Sequence, residues 1–164
     1  MRIANTKNRS DILDILQEIK SEHDEFRSLI TEIENASDSK KKSLFNELNI
    51  KIHAHHEAEE TVLFPDVKSK SDEEGKDVVM EMIEEHNLGA YQLSLLDRTS
   101  IENETWDAKF SVLKEVLTHH MDEEEQELFQ QAREVLTKAE LKEKYEPFEE
   151  KNDEEKKKMA SKMK

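Results

Sequence analysis

Two histidine–glutamate pairs recur in this sequence, His55 with Glu59 and His120 with Glu124. Residues four apart on a helix share a face, so each pair would project one imidazole and one carboxylate together. An apolar pair follows each, Leu63-Phe64 and Leu128-Phe129, and a lone histidine precedes each, His23 and His86. The lone histidines stand 63 residues apart and the paired histidines 65. Four imidazoles and two carboxylates repeating with one period are the pattern of a duplicated helix pair whose facing side chains converge. Their chemistry is cation binding through nitrogen and oxygen, without sulfur. They exceed the four donors of a tetrahedral zinc site. They suit two first-row ions, with each carboxylate able to bridge; iron is the favoured metal, and manganese and zinc are possible substitutes.

Apolar spacing supplies the elements that must position these groups. Ile12, Leu16, Ile19, Phe26, Ile30 and Ile33 step by threes and fours, with His23 filling the gap and Ser10 placed to cap the helix. A second series runs Phe45, Leu48, Ile52, His55, Glu59, Val62, and a third Val79, Met82, His86, Gly89, Leu93, Leu96. The fourth runs Phe110, Leu113, Leu117, His120, Glu124, Leu128. In each series the histidine takes a seam position that an aliphatic residue would normally fill. Breakers at Asn35 to Ser39, Ser69 to Gly75 and Ser100 to Thr105 separate the series. Such short links predict an all-α, up-down-up-down antiparallel four-helix bundle.

The same count sets depth. His23 lies about 13 residues before the first link and His55 about 15 after it, so each leg is about 20 Å and the two are level. His86 and His120 balance across the third link in the same way, which puts all six groups in one interior layer. Ionised carboxylates there are costly without a cation, and no lysine or arginine occupies a seam position in that layer. A metal would supply the charge and neutral imidazoles the remaining donors. Taken singly, each histidine reads as a core or surface residue, and Glu57 to Glu60 and Glu123 to Glu125 as solvated helix faces. Seam placement, equal depth and duplication together favour the metal. His56 with Glu60 has the same spacing as His55 with Glu59, one residue round the helix. The seam rhythm selects His55 and leaves His53, His56 and His119 flanking or exposed, in reach of orienting a ligand.

Composition bounds the remaining possibilities. There are 164 residues, 40% charged and 34% apolar, with two glycines, two prolines and no cysteine. That excludes disulfides, thiolate sites and a turn-rich β fold. A formal charge of −15 disfavours nucleic acid and anionic membranes as partners. No apolar run approaches the ~20 residues that cross a bilayer, and Met1 to Ser10 lacks a signal-like apolar stretch. A cytoplasmic location is the expectation. Residues 1–137 read as the metal-binding bundle and 138–164 as a short C-terminal helix with a charged tail. Thr137 and Glu140 form a capping box there, Pro147 ends or bends the helix, and the Lys/Glu-rich remainder frays. Trp106 opens the fourth helix at the bundle end.

With these residues in view, the chain resembles the hemerythrin-like (HHE cation-binding) family. The similar stretches are His55-His56-Glu57-Ala58-Glu59-Glu60 leading to Leu63-Phe64-Pro65, and His119-His120-Met121-Asp122-Glu123-Glu124-Glu125 leading to Leu128-Phe129. His23 and His86 stand where that family has its first- and third-helix histidines, and the likeness covers roughly residues 10 to 137. The resemblance implies a four-helix bundle around a non-haem di-iron centre that binds dioxygen reversibly, or senses oxygen or iron. It further implies His23, His55, His86 and His120 as terminal ligands, with Glu59 and Glu124 bridging. One departure is that the family's second third-helix histidine is Ala90 here, beside Gly89. Water, Glu57 or Tyr91 are the candidate replacements.

Three functions follow. The first is a metal protein that binds dioxygen or another small diatomic ligand, with no turnover required and Phe26, Ile52 and Leu117 restricting water. The second is a di-iron enzyme or repair factor acting on peroxide, nitric oxide or iron–sulfur clusters. The third is a metal-free acidic interaction bundle, which would leave Glu59 and Glu124 buried without partners.

Overall fold

Four helical rods linked by short turns follow from the apolar series above. The computed structural model describes residues 13–163, so Ser10 and Ile12 lie outside the described residues. Helix α1 (Ile15–Asn35) starts at Asp14, whose carboxylate accepts from the Gln17 amide at 2.9 Å while the Gln17 side chain accepts from Asp14 N–H. This reciprocal box satisfies two amides that a helix start leaves unpaired. Helix α2 (Asp38–Ala58) runs through a π-helical turn, π1 (Glu59–Leu63), into α3 (Phe64–Lys70) as one rod. Helix α4 (Glu73–Asp97) begins at Asp72, which accepts from Gly75 N–H at 3.0 Å. Helix α5 (Trp106–Glu123), turn π2 (Glu124–Leu128) and α6 (Phe129–Val135) form the fourth rod. The turns between rods reduce to Ala36-Ser37, Ser71-Asp72 and residues 98–105, so neighbouring rods are antiparallel.

The interior is layered. One apolar cluster gathers Leu16, Ile19, Leu63, Phe64, Val79, Met82, Leu128 and Phe129. A second gathers Phe26, Ile30, Phe45, Ile52, Leu93, Trp106, Phe110 and Leu117. His23, His55, Glu59, His86, His120 and Glu124 are buried along the same helix faces. Each fully buried Leu, Ile or Phe is worth about 1.5–3 kcal/mol, so two such clusters offset the cost of burying this polar group. Trp106 closes the second cluster, stacked on Phe110 at 5.3 Å and edge-on to Phe45 at 5.9 Å.

Two expectations change. The seam rhythm after Glu59 pointed to Val62, but Leu63 is fully buried and Val62 only partly so. In π1 the Phe64 amide bonds the Glu59 carbonyl five residues back, and in π2 the Phe129 amide bonds that of Glu124. The extra residue per turn advances the inward face by one position. The C-terminal segment is also longer and more ordered than a short helix with a frayed tail. After α7 (Lys138–Glu143), with its Thr137–Glu140 capping box, α8 (Tyr145–Lys162) packs along α2. Pro147 is the third residue of α8, in the first turn, where a missing amide breaks no intrahelical bond. Tyr145, Phe148 and Asn152 form the buried face, and Lys144 Nζ donates to the Val62 carbonyl at 3.1 Å and pairs with Asp66. Among the described residues no helix is long and apolar enough to cross a membrane.

Candidate metal centre

The structure brings the six residues selected by spacing into one buried layer, Glu59 and Glu124 being 0% exposed. His55 Nε2 lies 3.0 Å from Glu59 Oε1, and His23 Nε2 lies 3.3 Å from Glu124 Oε1. His120 Nε2 is 3.3 Å from Glu124 Oε2, and His86 Nε2 is 3.5 Å from Glu59 Oε1. The His23 and His55 rings are 5.1 Å apart and those of His86 and His120 4.7 Å. None of these four Nε2 atoms, and none of the four oxygens of Glu59 and Glu124, makes a hydrogen bond. Eight convergent buried donor atoms without hydrogen-bond partners are what a native interior tolerates where an ion belongs.

The opposite ring nitrogens are occupied. His23 Nδ1 meets Glu125 at 2.9 Å, His55 Nδ1 meets Glu22 at 3.2 Å, His86 Nδ1 meets Glu60 at 3.0 Å and His120 Nδ1 meets Glu85 at 2.8 Å. A neutral imidazole donating from Nδ1 to a carboxylate keeps its Nε2 lone pair free and directed inward. These acids repeat as the histidines do, Glu22 and Glu85 being 63 residues apart and Glu60 and Glu125 65. By sequence alone Glu60 and Glu125 belong to solvated faces, and Glu22 and Glu85 fall in no motif. Position was the usable signal, since each acid is adjacent to a histidine or glutamate already chosen. Arg27 pins Glu125 with a 2.6 Å bond while also holding Asp122 at 2.9 Å.

His56 corrects the sequence reading. It was placed among flanking or exposed residues, and the structure buries it with its ring stacked on His86 at 3.6 Å and edge-on to His120 at 5.4 Å. One potential ligand atom from each of His56, Glu59, His86 and His120 lies within 4.8 Å of the others, and the same holds for His23, His55, Glu59 and Glu124. Helix α2 has a neighbour on either side, and adjacent residues about 100° apart face one each. His55 therefore turns to His23, and His56 to His86 and His120. The residue 65 positions after His56 is Met121, so the duplication is broken at this point. Of the suggested replacements for a third-helix histidine, Glu57 is exposed and Tyr91 is 60% exposed. His119 is 73% exposed as expected, pairing with Glu123 at 2.9 Å, and His53 is half-buried.

Charge in the layer is shared rather than cancelled. Burial and the neighbouring Glu124 push the Glu59 carboxyl well above the usual range. Burial acts the same way on Glu124, but the facing Glu59, His120, His23 and His86 outweigh it and hold that carboxyl well below. Two carboxylates sharing a site split in this way because both cannot ionise without a cation. Burial opposes the charged forms of His86 and His120, yet the facing carboxylates raise both to about 9. Burial, together with the facing His86 and His120, drives His56 well below its ordinary value, leaving it a neutral donor.

An antiparallel helical bundle carrying a buried layer of carboxylate-backed imidazoles defines a cation-binding protein of the hemerythrin type. A family profile described as the hemerythrin HHE cation-binding domain matches residues 14–132, and the chain belongs to that family. The crystal structure of a hemerythrin HHE cation-binding domain-containing protein from Mycobacterium kansasii is similar, with a TM-score of 0.79 and 25% identity over 90% of each chain. No curated protein sequence matches significantly. Family and buried His/Glu clusters together support metal binding.

Proposed function

We propose that this protein holds two first-row metal ions, iron foremost, and there binds dioxygen or another small diatomic molecule reversibly. His23 and His55 would serve one ion, and His56, His86 and His120 the other, with Glu59 and Glu124 shared between them. The observation that carries the reading is the set of buried Nε2 and carboxylate oxygen atoms that converge without hydrogen bonds. Bound iron would supply redox electrons to a diatomic ligand.

The chain's own groups set the terms of that binding. The His23–His55 half offers two imidazoles against three, so it is the half with room for a small molecule. Phe26 lies edge-on to His55 at 5.1 Å, Phe148 likewise at 5.9 Å, and Phe129 stacks 6.4 Å from His23. These rings exclude bulk water and favour a small, uncharged ligand. Glu22, Glu60, Glu85 and Glu125 each hold an imidazole, which favours binding over proton-coupled turnover. The open position at Ala90 modestly favours an enzyme or repair factor, but His56 would supply the third imidazole of the His86–His120 half instead. Iron(II)-loaded protein under nitrogen should develop visible absorption on exposure to oxygen and lose it on purging. An unchanged spectrum, or oxidation that purging does not reverse, would contradict reversible binding.

A further inference from the structure

Helix α8 lies beyond residues 14–132, the span matched to the family, yet it reaches the metal centre. Asn152 is buried on its inner face, and Nδ2 donates to Glu22 Oε1 at 2.6 Å and to Oε2 at 3.0 Å. Glu22 Oε1 stands 3.2 Å from His55 Nδ1, and His55 Nε2 faces Glu59. Glu18 and Glu149 bring two more carboxyl groups within 4.8 Å of Glu22, and in that acidic surround the Asn152 amide holds the Glu22 side chain toward His55. Phe148, one turn before Asn152, closes over the same imidazole.

The duplicated half is built differently. Glu85 carries His120 Nδ1 at 2.8 Å, but its other neighbours are Glu123 and the exposed His119 on α5. These three partners of Glu85 all lie on α5. The two halves thus share the imidazole–carboxylate pair and differ in what holds the carboxylate.

We propose that Asn152 is a positioning residue for the His23–His55 half of the centre: its amide fixes Glu22, Glu22 fixes the tautomer and direction of the His55 ring, and the two ions are consequently held unequally. The inference rests on the two-ion reading above. A ligand's hydrogen-bonded support commonly sets metal affinity by about 10–100-fold. Leucine in place of Asn152 keeps the heavy-atom branching and removes the donor.

The test is iron release from anaerobically iron(II)-loaded protein into excess chelator, followed for the wild type, N152L, E22Q, E85Q and the doubles. N152L should retain wild-type helix content and two-iron loading, with one phase of release about 10–100-fold faster and the other unchanged. N152L combined with E22Q should release no faster than E22Q alone, because both act through one carboxylate, whereas N152L with E85Q should show independent effects. Should N152L lose helix content, N152A carries the same comparison. Equal acceleration of both phases, additive effects of N152L and E22Q, or unchanged release would each overturn the proposal and leave Asn152 a packing residue. Wild-type protein that takes up no iron would overturn the metal reading itself, an outcome distinct from a loaded wild type with an insensitive Asn152.

Discussion

An imidazole can donate through one ring nitrogen and offer a lone pair at the other, and His23, His55, His86 and His120 are all held to that division by a carboxylate on Nδ1. Removing one of them takes a donor from the centre and leaves a buried or partly buried acid without its partner. His120→Ala should therefore lower metal content, and unchanged two-ion loading measured by elemental analysis would reject its assignment. His56→Ala should lose metal from the His86–His120 half specifically, a result that an exposed flanking histidine would not give. Protonation competes with the metal here. In metal-free protein His86 and His120 are raised from the ordinary 6.5 to about 9, so their contribution to stability is complete below about 6.5 and lost as the pH rises through 9. Melting temperatures of the metal-free protein should fall across that window, while the metal-loaded protein, with those protons already displaced, should show a weaker dependence. The six spaced residues were legible because duplication and seam position both mark them. His56 was not, because a single seam per helix ignores that α2 has two neighbours at this level. The supporting acids were hidden by their abundance, since 40 aspartates and glutamates leave any one of them unremarkable.

At the scale of elements, periodicity located the four rods and their turns, because each rod buries a continuous stripe of large apolar residues. The π turns left no such mark. A single added residue shows only as Leu63 replacing Val62 in the core, and Leu128 fits either spacing. Helix α8 escaped notice because its buried face consists of Tyr145, Phe148 and Asn152 in a segment otherwise rich in lysine and glutamate. The two glycines make a contrasting pair. A Cβ on Gly89 would meet only Leu117 at 3.6 Å, ordinary contact, so close helix packing does not require glycine there. Gly89→Ala should stabilise the protein by up to about 1 kcal/mol through helix propensity. A Cβ on Gly75 would sit 2.6 Å from Ser71 Cβ and 2.3 Å from Gln131 Nε2, disturbing the bond of 2.9 Å between Gln131 and Ser71. Gly75→Ala should therefore destabilise despite the same propensity gain, and thermal melts of the two variants should move in opposite directions.

For the whole molecule, two apolar clusters and a polar layer make the fold depend on whatever neutralises that layer. A ligand that binds only the folded chain stabilises it, by about 2.7 kcal/mol at a free concentration 100 times its Kd. Chelation should thus lower the melting temperature, and a metal-independent interaction bundle would melt unchanged. A charge of −15 draws cations toward the protein in general, so only a stoichiometric, buried ion is informative. The most direct measurement is metal content per chain, by elemental analysis of protein produced with iron supplied and purified without chelator. Close to two ions per chain, reduced by substitution at His56 or His120, is the predicted result. A folded, stable protein with no stoichiometric metal would contradict the account at its centre.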